Sequence, residues 1–127
     1  MAIIPGTANF KLVRRSDFPI RLTLKDNTGS AVNLTGYTVA GEVYNQNRTT
    51  KYADWNISYT NRANGIIDAD LTDTQTTTFT PNELFYDIKY TQPDGKEFVY
   101  VRGTLFIIEG YTAWAVLIKS AFHKFQM

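Results

Sequence analysis

Apolar residues at every second position, in short runs broken by turn residues about every ten positions, constrain this chain more than any other feature. Successive side chains of a strand point to opposite faces. A two-residue apolar period therefore gives an extended segment one greasy face, which several such segments bury against one another. Phe18, Ile20, Leu22 and Leu24 alternate with Pro19, Arg21, Thr23 and Lys25, with the proline near one end or on an edge. Residues 26–30 make a turn, Val32 and Leu34 are apolar, and Thr35-Gly36 turns again. A second strand is expected over residues 37–44, with Tyr37, Val39 and Val43 on one face and Gly41 marking a bulge or a close contact. Residues 45–51 read as a polar loop. Trp55, Ile57 and Tyr59 give a third strand, Asn64-Gly65 a hairpin turn, and Ile67, Ala69 and Leu71 a fourth strand with Asp68 and Asp70 facing water.

Residues 72–79 break the rhythm. Thr72 as N-cap with Gln75 three residues later predicts one or two helical turns, and the threonines disfavour a longer helix. A fifth strand follows over residues 84–91, then the tight turn Gln92-Pro93-Asp94-Gly95, then a long strand over residues 97–109 that Gly103 is expected to kink. The pattern predicts an all-β fold, an antiparallel β-sandwich over residues 18–109 preceded by an N-terminal arm, residues 1–17. Beyond Gly110 the spacing changes. Trp114, Leu117, Ile118, Ala121, Phe122 and Phe125 form an amphipathic stripe, so residues 110–127 read as a short helix or tail.

The same pattern leaves room for an immunoglobulin-like sandwich. Such domains place a corner tyrosine two residues before an inward core residue, and Tyr86 precedes Ile88 by two. Trp55 is the candidate core tryptophan. An ordinary buried tyrosine with a locally satisfied hydroxyl is the other reading of Tyr86.

Two stretches carry a resemblance to a known family. One is Leu24-Lys25-Asp26-Asn27-Thr28-Gly29-Ser30-Ala31-Val32-Asn33-Leu34-Thr35-Gly36-Tyr37-Thr38-Val39. The other is Phe85-Tyr86-Asp87-Ile88 followed by Pro93-Asp94-Gly95-Lys96 and Arg102-Gly103-Thr104. In order and spacing they resemble the small immunoglobulin-like domains of bacteriophage tail and baseplate proteins, such as the N-terminal domain of the upper baseplate protein of lactococcal phages. The resemblance spans residues 18–109. It implies a non-catalytic structural protein of the virion, made in the bacterial host cytoplasm, oligomeric in the particle, whose partners are other tail, baseplate or fibre subunits. The stripe after residue 109 departs from the family pattern.

The residue types argue against most chemistry. The chain has no cysteine, which removes disulfides, thiolate zinc sites and thiol nucleophiles. A net charge of +1 offers no stripe for a phosphate backbone, and the cluster Lys11, Arg14 and Arg15 is answered by Asp17. Residues 1–9 lack a leader pattern, and no apolar run approaches the roughly 20 residues that span a bilayer. The single histidine, His123, has no ligand or triad spacing around it and reads as a surface residue. Asp68, Asp70 and Asp73 suggest calcium or a glycosidase pair only until their positions are considered: two on a solvent face, one at a helix start. The sequons at Asn33, Asn47 and Asn56 read as chance. No metal, cofactor, nucleic acid or membrane is expected.

Two binding surfaces are expected instead. Tyr44, Tyr52 and Trp55 sit among polar residues, as in a glycan-binding or protein-binding loop, or else pack at strand ends. Trp114, Leu117, Ile118, Phe122 and Phe125 either fold back on their own sandwich or dock on a neighbouring subunit, and the second reading is favoured. The rival functions are a receptor-glycan module of the tail and a capsid decoration protein. Deleting residues 111–127 is expected to leave a folded, soluble monomer, measured by circular dichroism and gel filtration, that no longer enters particles. A truncated chain that fails to fold places the stripe in the core.

Overall fold

The structure, a computed structural model, describes residues 6–111. Its strands are β1 (Gly6–Thr7), β2 (Phe10–Val13), β3 (Phe18–Thr23), β4 (Thr38–Tyr44), β5 (Lys51–Asp54), β6 (Asn56–Asn61), β7 (Ile66–Leu71), β8 (Glu83–Thr91) and β9 (Glu97–Ile108). One short helix, α1 (Asp73–Thr77), joins β7 to β8. The strands form two sheets. In the smaller, β7 lies between β3 and β6. In the larger, the order runs from β9 through β8 and β4 to β5, with β1 and β2 both alongside β9. The β3–β7–β6 and β9–β8–β4 orders are the B–E–D and G–F–C arrangement of immunoglobulin-like sandwiches, so the chain is an all-β immunoglobulin-like sandwich.

The two-residue rhythm explains which faces meet. Along β7, Ile67, Ala69 and Leu71 are buried and alternate with Asp68 and Asp70, which face outward. Along β8, Leu84, Tyr86, Ile88 and Tyr90 are buried. Leu24, Val32 and Leu34 lie outside the strands yet are buried to within 1% of complete, because they close one end of the sandwich. Each such side chain contributes roughly 1.5–3 kcal/mol relative to exposure. At the opposite crossing, Thr72 accepts a hydrogen bond from Gln75 N–H at 3.2 Å and its own N–H donates to Gln75 Oε1 at 2.9 Å. This is the expected capping box, and it starts a helix of one turn.

Several expectations need correction. The segment read as an N-terminal arm supplies two strands. β1 and β2 run parallel to β9, with Gly6 opposite Val101 and Phe10 opposite Leu105, so the larger sheet is mixed rather than purely antiparallel. Gly103 sits where the β8–β9 ladder keeps its register. It lets the link between β1 and β2 approach, since a Cβ there would collide with the Ala8 carbonyl. Ala8 N–H donates to Arg102 O at 3.0 Å, and Asn9 Oδ1 accepts from Thr104 N–H at 2.9 Å, on either side of that glycine. Asn64-Gly65 closes a 3-10 turn (Arg62–Asn64) with Gly65 left-handed, not a two-residue hairpin.

Tyr86 is neither a local corner nor a locally satisfied tyrosine. Its hydroxyl donates to the Ala8 carbonyl at 2.7 Å, and burial pushes its pKa up to about 12, so it stays a donor. The inward position beside it is filled by Ile88, as expected. Tyr86→Phe leaves the Ala8 carbonyl unpaired. We expect a loss of roughly 1 kcal/mol in urea unfolding with an unchanged m-value, and faster amide exchange in β2.

Candidate functional site

β5 pairs with β4 from Glu42 to Tyr44, with a register shift between Val43 and Tyr44, and Trp55 N–H adds a bond to Gly41 O at 2.9 Å. The chain then leaves the larger sheet at Asp54 and enters β6 of the smaller one at Asn56, with Trp55 at the crossing. The indole turns inward. It packs edge-on to Tyr86 at 5.5 Å between ring centroids and against Phe18 at 6.2 Å. Phe10 completes the group, 5.5 Å from Phe18 and 5.9 Å from Tyr86. Gly41 makes the room. A Cβ on it would lie 2.8 Å from Trp55 Cδ1 and 2.9 Å from Ile88 Cγ1, so the close contact expected of Gly41 is real and the bulge lies elsewhere. The tryptophan is thus in the core as expected, but it comes from the crossing between sheets and not from a third strand.

This placement removes Trp55 from any exposed binding loop, since only 5% of its surface is accessible. Residues read as loop include strand β5. Tyr52 packs edge-on to Phe79 at 6.2 Å. Tyr44 stays on the outer face, with the Arg48 guanidinium 5.3 Å above its ring. The hairpin tip between them is tied by Asn45, whose Oδ1 accepts from the N–H groups of Thr49 and Thr50 at 2.8 and 3.0 Å. The structure therefore does not bring Tyr44, Tyr52 and Trp55 onto one surface.

The acidic residues are equally dispersed. Asp68 forms a two-pronged pair with Arg21 at 2.8 and 3.0 Å and also accepts from the Thr60 hydroxyl. These hydrogen bonds, with Arg21 first, hold its carboxyl at about 2. Asp70 lies opposite Pro19 and Asn56, and Asp73 begins α1, where its N–H donates to Asp17 at 2.7 Å. Among the described residues no three His, Cys, Asp or Glu side chains are placed to hold a metal ion. His123 and the stripe Trp114, Leu117, Ile118, Phe122 and Phe125 lie outside the described residues.

Two surfaces stand out. The first is an apolar strip on the outer face of the larger sheet. Val13 and Ile108 are cross-strand neighbours, exposed at 42% and 48%, and Phe106 is exposed at 39%. Half-buried Phe85 and Tyr44, opposite each other, continue the same face, while Lys11 and Glu83 flank Phe106. The strip ends where the chain turns away. Arg14 and Arg15 both pair with Glu109, Arg14 N–H donates to Ile108 O at 2.7 Å, and Arg14 Nε donates to Phe79 O at 2.7 Å. Tyr111 beyond them is 89% exposed. No sequence signal separated these outward residues from the inward ones, because β9 carries apolar residues on both faces.

The second surface is a groove of about 420 Å³ lined chiefly by β4, β8 and the β5–β6 crossing. Val39, Gly41, Trp55 and Ile57 line its inner wall, and Glu42, Asp54, Asp87, Lys89 and Glu97 its rim. Lys51 Nζ lies 3.2 Å from both Glu42 and Asp54, and Lys89 lies 3.8 Å from Glu97. Burial holds the Asp87 carboxyl above the usual range, and the neighbouring Glu42 adds to the shift against opposing lysine and arginine charges. Trp55 Nε1 has no hydrogen-bond partner among the described residues. A buried N–H left unpaired costs roughly 1–3 kcal/mol. β5 is too short and polar to show a period, so nothing in the sequence marks this groove.

No protein-family profile matches the chain, and no curated protein matches it. Solved structures similar to it include the Lin-41 filamin domain, at 17% identity, covering 79% of this chain and 84% of that one with a TM-score of 0.45. Domains 4 and 5 of the S-layer protein SbsC match at 14% identity over 85% of this chain and 45% of theirs, with a TM-score of 0.48. The SrpA adhesin of Streptococcus sanguinis matches at 9% identity over 81% and 57%, with a TM-score of 0.46.

Asp87 sets a pH dependence. Its folded pKa lies above the unfolded value of about 3.9, so the charge destabilises the fold once pH exceeds that value and has no effect below it. Asp87→Asn is therefore expected to raise the thermal midpoint at pH 7, and the gain should vanish by about pH 3. A gain that persists in acid contradicts this assignment.

Proposed function

We propose that this chain is a non-catalytic interaction module, an adaptor of a bacteriophage tail or baseplate that holds other virion subunits such as fibres through protein–protein contacts. The apolar strip Val13–Phe106–Ile108 carries this reading. A sheet face turned to water is ordinarily polar, and an aromatic and aliphatic centre with Lys11, Glu83 and Arg102 around it has the anatomy of an interface. The phage setting rests on the resemblance of residues 18–109. Glycan recognition by the Tyr44–Trp55 region is not supported, because Trp55 belongs to the core.

Purified protein mixed with tail proteins and, separately, with host cells tests the proposal. It should sediment with tail proteins and not with cells. Phe106→Ser with Ile108→Ser should keep the unfolding midpoint near wild type, because both side chains are exposed, and weaken co-sedimentation about tenfold or more. Wild-type co-sedimentation by that variant overturns the docking surface, and binding to cells overturns the adaptor.

A further inference from the structure

We infer that the apolar strip on the outer face of the larger sheet seats a second copy of this chain, face to face about a two-fold axis parallel to β9 and passing over Phe106. The inference rests on the reading of that strip as a docking surface and names its occupant. Row geometry is the first support. Lys11 on β2 and Glu83 on β8 both lie opposite Phe106, so the three point the same way in the order Lys11, Phe106, Glu83. All three are exposed. Neighbouring strands stand about 4.8 Å apart, so the lysine and the glutamate flank the ring from backbones about 10 Å from each other. Half a turn about the axis exchanges the two flanks. It brings Lys11 of one copy over Glu83 of the other, twice, and sets Phe106 and Ile108 over their own counterparts. A two-fold interface requires this self-complementarity.

Charge satisfaction is the second support. Elsewhere on this face Lys51 is already paired with Glu42 and Asp54, and at the end of the strip Glu109 holds both Arg14 and Arg15. Among the described residues Lys11 and Glu83 have no ion-pair partner. Val13 and Ile108 extend the apolar centre on one side of their row, and Phe85 on the other. Sheet faces pack about 10 Å apart with their side chains interdigitated, a gap that a lysine and a glutamate reach across together. Arg102, four positions before Phe106 on the same face of β9, meets its own copy across the axis, so like charge confines the contact to the strip. A patch of this extent makes a weak dimer. A foreign partner has no need of opposite charges placed symmetrically about β9, whereas a second copy does.

Sedimentation equilibrium of the full chain tests this without any virion protein. The mean mass should rise from one chain near about 1 μM toward two chains at about 300 μM. Lys11→Glu alone, and Glu83→Lys alone, set like charges against each other across the axis. Each should weaken self-association about fivefold or more, with an unfolding midpoint near wild type because both positions are exposed. An equimolar mixture of the two variants restores both ion pairs and should associate as tightly as wild type, as should the chain carrying both substitutions. Phe106→Ser with Ile108→Ser should abolish association. A chain monomeric at about 300 μM overturns the inference, and so does a mixture that associates no better than either variant alone. Association that begins only once residues 111–127 are deleted also overturns it, because it assigns the strip to those residues. A monomer that still sediments with tail proteins leaves the adaptor standing, and a dimer that ignores them overturns the adaptor alone.

Discussion

The packing of the Trp55 indole against Tyr86, Phe18 and Gly41 is the contact on which the rest of the structure depends. Immunoglobulin-like sandwiches bury a large aromatic between the sheets on the C strand. Here that strand, β4, carries a glycine at the same level, and the tryptophan arrives from the crossing between β5 and β6. Trp55 N–H still donates to Gly41 O at 2.9 Å, and the chain leaves the larger sheet there for β6. One packing decision thereby shapes the core and the length of β5.

A second constraint closes the opposite side. Twelve consecutive residues, Glu97–Ile108, lie on a strand whose outer edge would otherwise be open along its length. β1 and β2 cover it from Val101 onward, and the bare Gly103 lets their link come close enough for the Tyr86 hydroxyl to bond to Ala8. The aromatic cluster thus joins both sheets and also fastens the N-terminal strands. The other edge, that of β4, is closed by β5, by Trp55 N–H on Gly41 O and by the Tyr59 hydroxyl on Val39 N–H. The apolar residues on the outer face of β9 are thereby left as a surface that the fold itself does not use.

Much of the sandwich was legible from alternation. The inward and outward positions of β3, β7 and β8, the turn at residues 92–95 and the capping box at Thr72 follow from local rules, because each depends on neighbours within a few residues. β5 was not legible. Lys51-Tyr52-Ala53-Asp54 is too short and too polar to show a period, and its pairing with β4 is decided by where Trp55 must go. β1 and β2 were missed for a related reason: their partner, β9, lies some 95 residues away, and parallel pairing leaves no turn signal.

The order of apolar and polar residues by itself determined the all-β class, most strand faces and the position of the one-turn helix, since side-chain direction alternates with strict local geometry. Only the tertiary structure decided which residues share a surface. It took Trp55 out of the aromatic loop and buried it, dispersed Asp68, Asp70 and Asp73, and gathered Val13, Phe106 and Ile108 from distant segments into one strip. Sheet order and register set those juxtapositions, and both arise from long-range packing that no local pattern encodes.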